Sequence, residues 1–181
     1  MSASATGQLS PRAQEIAAAA RELLEQEGPD GLSMRKVAGK LGIQAPSLYK
    51  HLTDKQALES AVISMGFEEQ AGVFAQCLAA DDPLRAMTIA YRSYALAHPH
   101  LYRLMTERPL HRDQLAPGAE QRAAAPLLEA TGDADLARAV WAFAHGMTIL
   151  ELNGRFPEDA DLDAAWERGL KAFREMTNPA C

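Results

Sequence analysis

The chain has 181 residues, of which 48% are apolar and 23% are charged. This composition supports one large or two small domains with a real core, and no run approaches the roughly 20 apolar residues needed to span a bilayer. The two cysteines, Cys77 and Cys181, are far apart in the sequence. They indicate neither a disulfide framework nor a metal site, and they fit a cytoplasmic protein with reduced thiols.

Charge is distributed unevenly along the chain. The formal net charge of −6 argues by itself against a nucleic-acid partner. Between residues 31 and 55, however, five Lys and Arg side chains are accompanied by one carboxylate, that of Asp54. A basic patch on an acidic body is typical of a DNA-contact surface, although a solvated charged face gives the same pattern.

The chain begins with a short polar segment. Residues 1–9 lack the basic start and the apolar run of a secretory signal, and they predict a disordered tail. Beyond them, no segment alternates with the period of two that a strand requires. The sequence therefore predicts an all-α protein.

Three short helices are predicted first. Ser10-Pro11 supplies a cap and a first-turn proline for helix one, which ends before Gly28. Ser33 caps a second helix that Gly42 stops, and residues 44–51 form the third.

A long fourth helix is predicted to lead into a helical body. Thr53-Asp54-Lys55-Gln56 reads as a capping box, with the threonine side chain accepting from first-turn amides. Further caps at Asp82, His98, Asp133 and either Asp159 or Asp161 predict helices over residues 83–97, 99–106, 115–130, 134–152 and 162–176.

Residues 31–58 carry the most informative pattern. Two short helices joined by a tight turn at Gly42 cross at a steep angle, which exposes the second helix. Leu48 and Leu52 are four residues apart and hold one face of that helix against the core. Its other face then presents Ala45, Pro46, Ser47, Tyr49, Lys50 and His51. Small and polar residues followed by a hydroxyl, a cation and an imidazole suit base edges and phosphates.

This segment resembles the DNA-binding region of the TetR family of bacterial regulators over about residues 10–60. Three family features occur in register: the basic pair, the recognition helix and the start of helix four, seen here as Arg35-Lys36, Pro46-Ser47-Leu48-Tyr49-Lys50-His51 and Thr53-Asp54-Lys55-Gln56-Ala57-Leu58. Ala45 departs from members that carry a base-reading amide at this position. The protein must therefore take its specificity from other residues.

The resemblance implies roles for the exposed side chains. Lys50 would contact a guanine, Arg35 a base edge or a phosphate, and Lys55 a phosphate near the positive end of helix four. The full DNA-contact set that it implies is Arg35, Lys36, Ala45, Pro46, Ser47, Tyr49, Lys50, His51 and Lys55. Two alternatives stay open, since Tyr49 could equally pack on helix one and Lys36 could face solvent.

The C-terminal half predicts a dimer interface. Residues 136–156 form the most apolar long helix, and Ala142 and Gly146 give it a stripe small enough for close helix approach. Together with the amphipathic helix at 162–176, it suits a four-helix interface built from two copies. The predicted interface residues are Ala142, Gly146, Ile149, Leu150, Trp166, Leu170 and Phe173. The Trp-x-x-x-His-Gly pattern here also resembles one TetR subgroup.

The family resemblance further implies a small effector inside the helical body. The candidate lining residues are Phe67, Phe74, Met87, Tyr91, Tyr94, Tyr102, Met105, Trp141 and His145. No charged residue is clearly buried among them, so the ligand would be apolar or aromatic. Ordinary core is the alternative, because aromatic and Met stripes at helical spacing are more often packing than pocket.

The sequence thus predicts a tail (1–9), a helix-turn-helix DNA-binding domain (10–53) and a helical effector-binding and dimerisation domain (54–181). The expected function is a dimeric repressor that a small effector releases from a palindromic operator. The alternative is a helical protein–protein adaptor or effector-binding module without sequence-specific DNA binding, which leaves the basic cluster unexplained. No enzymatic motif, cofactor or metal site is predicted, since His98, His100 and His111 lack ligand spacing.

Overall fold

A computed structural model of the chain describes residues 9–177, and in this range all regular structure is helical. The helices are α1 Pro11–Glu27, α2 Met34–Lys40, α3 Ala45–Leu48, α4 Lys55–Cys77, α5 Pro83–Ala97, α6 Pro99–Thr106, α7 Ala119–Thr131, α8 Ala134–Leu152 and α9 Leu162–Thr177. Short 3₁₀ turns lie at Gly28–Gly31 and Arg112–Gln114. The all-α prediction is confirmed. The predicted tail, apart from its last residue, and Cys181 lie outside the described residues.

Side-chain caps start several helices at the predicted positions. Ser10 Oγ accepts from the amide of Ala13 at 3.2 Å, and Ser33 Oγ accepts from that of Lys36 at 3.3 Å. For α9 the cap is Asp161 rather than Asp159, because its Oδ1 accepts from the amide of Ala164 at 2.9 Å. Each cap satisfies an amide that has no partner within the helix.

The predicted Thr53 cap of α4 is wrong by one residue. Asp54 Oδ1 accepts from the amide of Ala57 at 2.8 Å, whereas Thr53 Oγ1 reaches only Asp54 Oδ2 at 3.5 Å. A carboxylate interacts more favourably than a hydroxyl with the positive end of a helix, which explains the shift. Asp54 therefore sets the first turn of α4.

Two other predicted boundaries also move. The recognition helix is α-helical only over Ala45–Leu48, although Leu52 N still donates to Leu48 O at 2.9 Å across the following turn. Residues 115–118, which follow the 3₁₀ turn, are not helical, so that α7 begins at Ala119 instead of 115. His98 occupies the N-cap position of α6 without a side-chain cap, and Glu25 of α1 accepts from the amide of Leu101 at 3.0 Å.

Contacts divide the described chain into two compact units. The first comprises residues 9–69 and His98–Arg122, and the second comprises Gln70–Ala97 and 123–177. In the first unit α1 packs against α2 and α6, and α2 packs against α3. Its fully buried side chains include Ile16, Leu24, Val37, Leu48, Leu58, Leu101 and Tyr102. The predicted domains, 10–53 and 54–181, are divided according to the motif and not according to packing. This division stays a prediction.

The second unit is held by an apolar core and by a cluster of charged side chains. Leu84, Val140 and Leu170 form its buried core, on α5, α8 and α9. Arg92 of α5 donates twice to the Glu151 carboxylate, at 2.7 Å each, and once to Asp163 at 2.5 Å. These hydrogen bonds raise the pKa of Arg92, which stays charged while it ties three helices together. No helix within residues 9–177 is long and apolar enough to cross a membrane.

Candidate nucleic-acid interface

The turn between α2 and α3 is fixed by a glycine. Gly42 has a φ of +65°, Ile43 N donates to Ala38 O at 3.0 Å, and Gly42 N donates to Gly39 O at 3.1 Å. This pair of hydrogen bonds is the Schellman motif, which satisfies the last carbonyls of α2 and needs a residue in the left-handed region. The motif therefore sets the direction in which α3 leaves α2.

Helix α3 and the turn that follows it are anchored by two buried leucines. Leu48 is completely buried and Leu52 is 6% exposed. Tyr49, Lys50 and His51 lie between them and are all exposed, with half of the tyrosine surface accessible. The placement of Tyr49 disfavours the alternative in which it packs on α1. The hydroxyl of Tyr49, the ammonium of Lys50 and the imidazole of His51 are thus exposed between two buried anchors.

Two of the cationic side chains of α2 are paired with carboxylates, and the third is exposed. Lys36 Nζ lies 2.5 Å from Glu27 Oε2, and Lys40 Nζ lies 2.8 Å from Glu22 Oε2. Both carboxylates belong to α1. Arg35 is exposed and forms no ion pair with any of residues 9–177. Arg35 is therefore ready to meet an external anion, whereas Lys36 must first leave Glu27.

Lys55 stands at the first position of α4, beside the Asp54 cap. Its Nζ lies 3.6 Å from Glu59 Oε1 one helical turn later, and its side chain is 56% exposed. Glu59 also accepts from Arg108 Nη1 at 3.1 Å. The sequence pattern did not indicate the ion pairs of Arg108, Glu22 and Glu27. Each of these residues pairs with a side chain that is distant in the sequence or on another helix.

The predicted effector residues do not share one environment. Five are buried, namely Phe74, Met87, Tyr91, Tyr102 and Met105, while Trp141 is 52% exposed. The first unit contains cavities of about 190 and 400 Å³, and none of the nine candidates lines either of them. Burial of five candidates fits both ordinary packing and a closed pocket, and the effector pocket stays a prediction.

The predicted dimer residues divide between core and surface. Trp166 and Leu170 are buried within their own chain, and the ring of Phe173 lies 5.6 Å from that of Phe143. Ala142 and Leu150 are exposed, and a Cβ added to Gly146 would meet no atom within 4 Å. The predicted residues that lie on the open face of α8 are accordingly Ala142, Gly146 and Leu150, while Ile149 is half-buried beside them and Trp141 is exposed one residue before Ala142.

Taken together, a short helix with exposed polar and cationic side chains, set on an all-helical body, defines a helix-turn-helix transcriptional regulator. This is a DNA-binding class and not an enzyme class. Residues 16–62 match the model of bacterial regulatory proteins of the tetR family, and residues 84–173 match the tetracyclin repressor-like C-terminal domain. The chain belongs to the TetR family.

Individual relatives support both halves of this assignment. The uncharacterized HTH-type transcriptional regulator Rv0681 of Mycobacterium tuberculosis is 34% identical over 170 residues, which cover 84% of this chain and 75% of the relative. The class D tetracycline repressor protein of Escherichia coli is 54% identical over 44 residues, 24% of this chain and 20% of that protein. A TetR variant from Acinetobacter baumannii, crystallised with minocycline, is 25% identical with a TM-score of 0.61, covering 92% of this chain and 94% of its own.

Proposed function

We propose that this regulator binds a palindromic operator as a homodimer and represses transcription until a small effector releases it. The observation that carries the proposal is the exposed triplet Tyr49-Lys50-His51, held between the buried anchors Leu48 and Leu52. A helix-turn-helix dimer reads two half-sites about one helical turn apart. A single α3 would read too few base pairs to be selective.

Each protomer would divide its contacts between bases and backbone. Lys50 is the base reader, because its exposed ammonium forms no ion pair with any of residues 9–177 and lies in the turn directly after α3, where it suits the O6 and N7 acceptors of guanine. Arg35 and His51 would contact phosphates or neighbouring base edges. Lys55 would hold a phosphate at the start of α4, and Lys36 would join only after releasing Glu27.

The second copy would dock on the exposed surface of α8. A half-exposed tryptophan next to Ala142, Gly146 and Leu150 is an apolar patch of the kind that marks protein interfaces. The absence of any side chain at Gly146 lets a partner helix approach closely. Trp166 and Leu170 would support this surface from inside rather than contact the partner.

The effector would enter the second unit. The related A. baumannii TetR was crystallised with minocycline. In this chain, Thr148 Oγ1 and Trp166 Nε1 are buried and have no hydrogen-bond partner among residues 9–177. Buried polar atoms are rarely left unpaired, so a ligand with an apolar or aromatic body and one polar group would suit them. A Thr148→Val variant should show a smaller ligand-induced rise in Tm than the wild type.

Selection of bound duplexes from a random library tests the core of the proposal. We expect a palindrome with half-sites spaced by about 10 base pairs, and binding that weakens steeply as salt rises. The Lys50→Ala variant should lose enrichment at one defined position in each half-site. No enriched sequence, or a single half-site bound by one protomer, would contradict the proposal.

A further inference from the structure

Glu59 of α4 lies between two cations. Its Oε1 atom is 3.6 Å from Lys55 Nζ on the same helix and 3.1 Å from Arg108 Nη1, which follows α6. The carboxylate side chain is only 18% exposed, whereas those of Lys55 and Arg108 are both more than half exposed. Only the arginine contact is a hydrogen bond.

A carboxylate in this position opposes DNA binding by Lys55 in two ways. It attracts the ammonium away from an incoming phosphate, as oppositely charged residues four apart on a helix do. It also repels the phosphate directly. Arg108 weakens both effects, because a guanidinium hydrogen-bonded to Glu59 neutralises the carboxylate and leaves Lys55 at the longer distance.

The surroundings allow the lysine to change partners. A groove of about 400 Å³ lies alongside the three charged side chains and is lined also by Ile63, Leu104 and Pro109. The Lys55 side chain therefore has room to turn outward. The neighbouring carboxylate of Glu107, the C-cap residue of α6, is paired with Arg103 at 2.7 Å, and Arg108 binds Glu59.

We propose that Arg108 is a positioning residue for operator binding, which acts through Glu59 to keep Lys55 available to a DNA phosphate. The inference rests on the proposed function, since it needs Lys55 to contact DNA. It gives the segment after α6 an electrostatic link to the DNA surface. When Arg108 moves away from Glu59, the carboxylate pairs with Lys55 instead, and operator binding becomes weaker.

The experiment is a mutant cycle on duplex affinity at about 50 mM salt. Arg108→Gln should lower affinity about two- to fivefold in a dimer, because each protomer gains a helix-surface ion pair between Lys55 and Glu59. The log–log salt slope should become shallower, by less than the value of about 0.9 that a lost phosphate contact gives. Arg108→Gln should have no effect when combined with Glu59→Gln, and a smaller effect when combined with Lys55→Ala, where only the direct repulsion between Glu59 and the phosphate remains.

Arg112→Gln is the matched control. Arg112 lies four residues further along the same segment and is paired with Glu120 at 2.8 Å, outside the cluster of Lys55, Glu59 and Arg108. It should leave affinity unchanged although it removes the same charge. Unfolding in urea should be alike for all variants, since each altered side chain is on the surface or is replaced by an isosteric amide.

Two results would overturn the inference while the proposed function stands. One is an Arg108→Gln effect that persists undiminished in the Glu59→Gln or Lys55→Ala background, which would mean a direct charge effect. The other is an equal loss from Arg112→Gln. A wild-type chain that bound no duplex would overturn the proposed function itself, and the inference with it.

Discussion

Residues 48 and 50, at the end of α3 and in the turn after it, differ in their surroundings. Leu48 is completely buried and Lys50 is exposed. The side chain that is proposed to meet DNA is therefore not the one that holds the helix in place. Because of this separation, loss of binding and loss of stability can be measured as distinct effects.

Lys50→Ala should abolish discrimination at one operator position. A good contact to a guanine contributes about 1–3 kcal/mol, whereas an exposed substitution changes the free energy of unfolding by about 0.5 kcal/mol or less. Leu48→Ala should do the reverse and lower that free energy by about 2–5 kcal/mol. Duplex titration and urea unfolding measure the two effects. Unaltered operator binding by folded Lys50→Ala protein would contradict the assignment of the base reader.

Glu27→Gln should strengthen binding to unselected duplex DNA. The change releases Lys36, whose ammonium is 2.5 Å from the Glu27 carboxylate in the free protein. One further phosphate contact steepens the log–log salt slope by up to about 0.9 per protomer. Glu15→Gln is the control, because it removes the same charge from α1 but releases Arg12, which lies outside the motif. Equal gains from both variants would show a general charge effect only.

At the scale of the element, much of the structure follows from local chemistry. The bounds of α5, α6 and α8 agree with prediction because Pro83, Pro99 and Asp133 mark helix starts without help from the rest of the chain. The exposure of Tyr49, Lys50 and His51 could likewise be predicted from the spacing of Leu48 and Leu52. Local signals of this kind identified the fold and the motif.

Features that depend on distant partners could not be predicted in this way. Glu25 caps α6 from 76 residues away, and Arg108 meets Glu59 across 49. The burial of Trp166 within its own chain could not be predicted either. The pattern of an amphipathic helix shows which side is apolar, but it does not show whether the same chain or a partner covers that side. Pairings between elements require the folded coordinates.

Gly42→Ala should destabilise the protein by about 1–2 kcal/mol. An added Cβ would meet no atom within 4 Å, so the cost comes from the positive φ alone. Gly39→Ala is a close control three residues earlier, where space is also open but φ is ordinary, and it should stabilise α2 by about 0.5–1 kcal/mol. Thermal unfolding compares the two. Equal shifts in Tm would mean that the turn does not depend on its glycine.

At the scale of the whole molecule, the proposed dimer depends on the open face of α8. Gly146→Arg should give a folded monomer, because the new side chain projects into open space in one chain but would obstruct a close partner helix. Gly72→Arg on α4 is the matched control, since its Cβ also meets no atom within 4 Å. Light scattering after size exclusion reports the mass. A dimeric Gly146→Arg protein would move the interface elsewhere.

The carboxylates of α1 have a consequence for how such a protein finds its target in a chromosome. Glu22 and Glu27 form ion pairs with Lys40 and Lys36, as the phosphates of a nucleic-acid backbone would. Under the proposed function, DNA of arbitrary sequence would have to displace these carboxylates and would gain little in exchange, so the protein would dissociate from it quickly. A correct half-site would add base contacts that more than compensate, and dwell time would distinguish the two kinds of site.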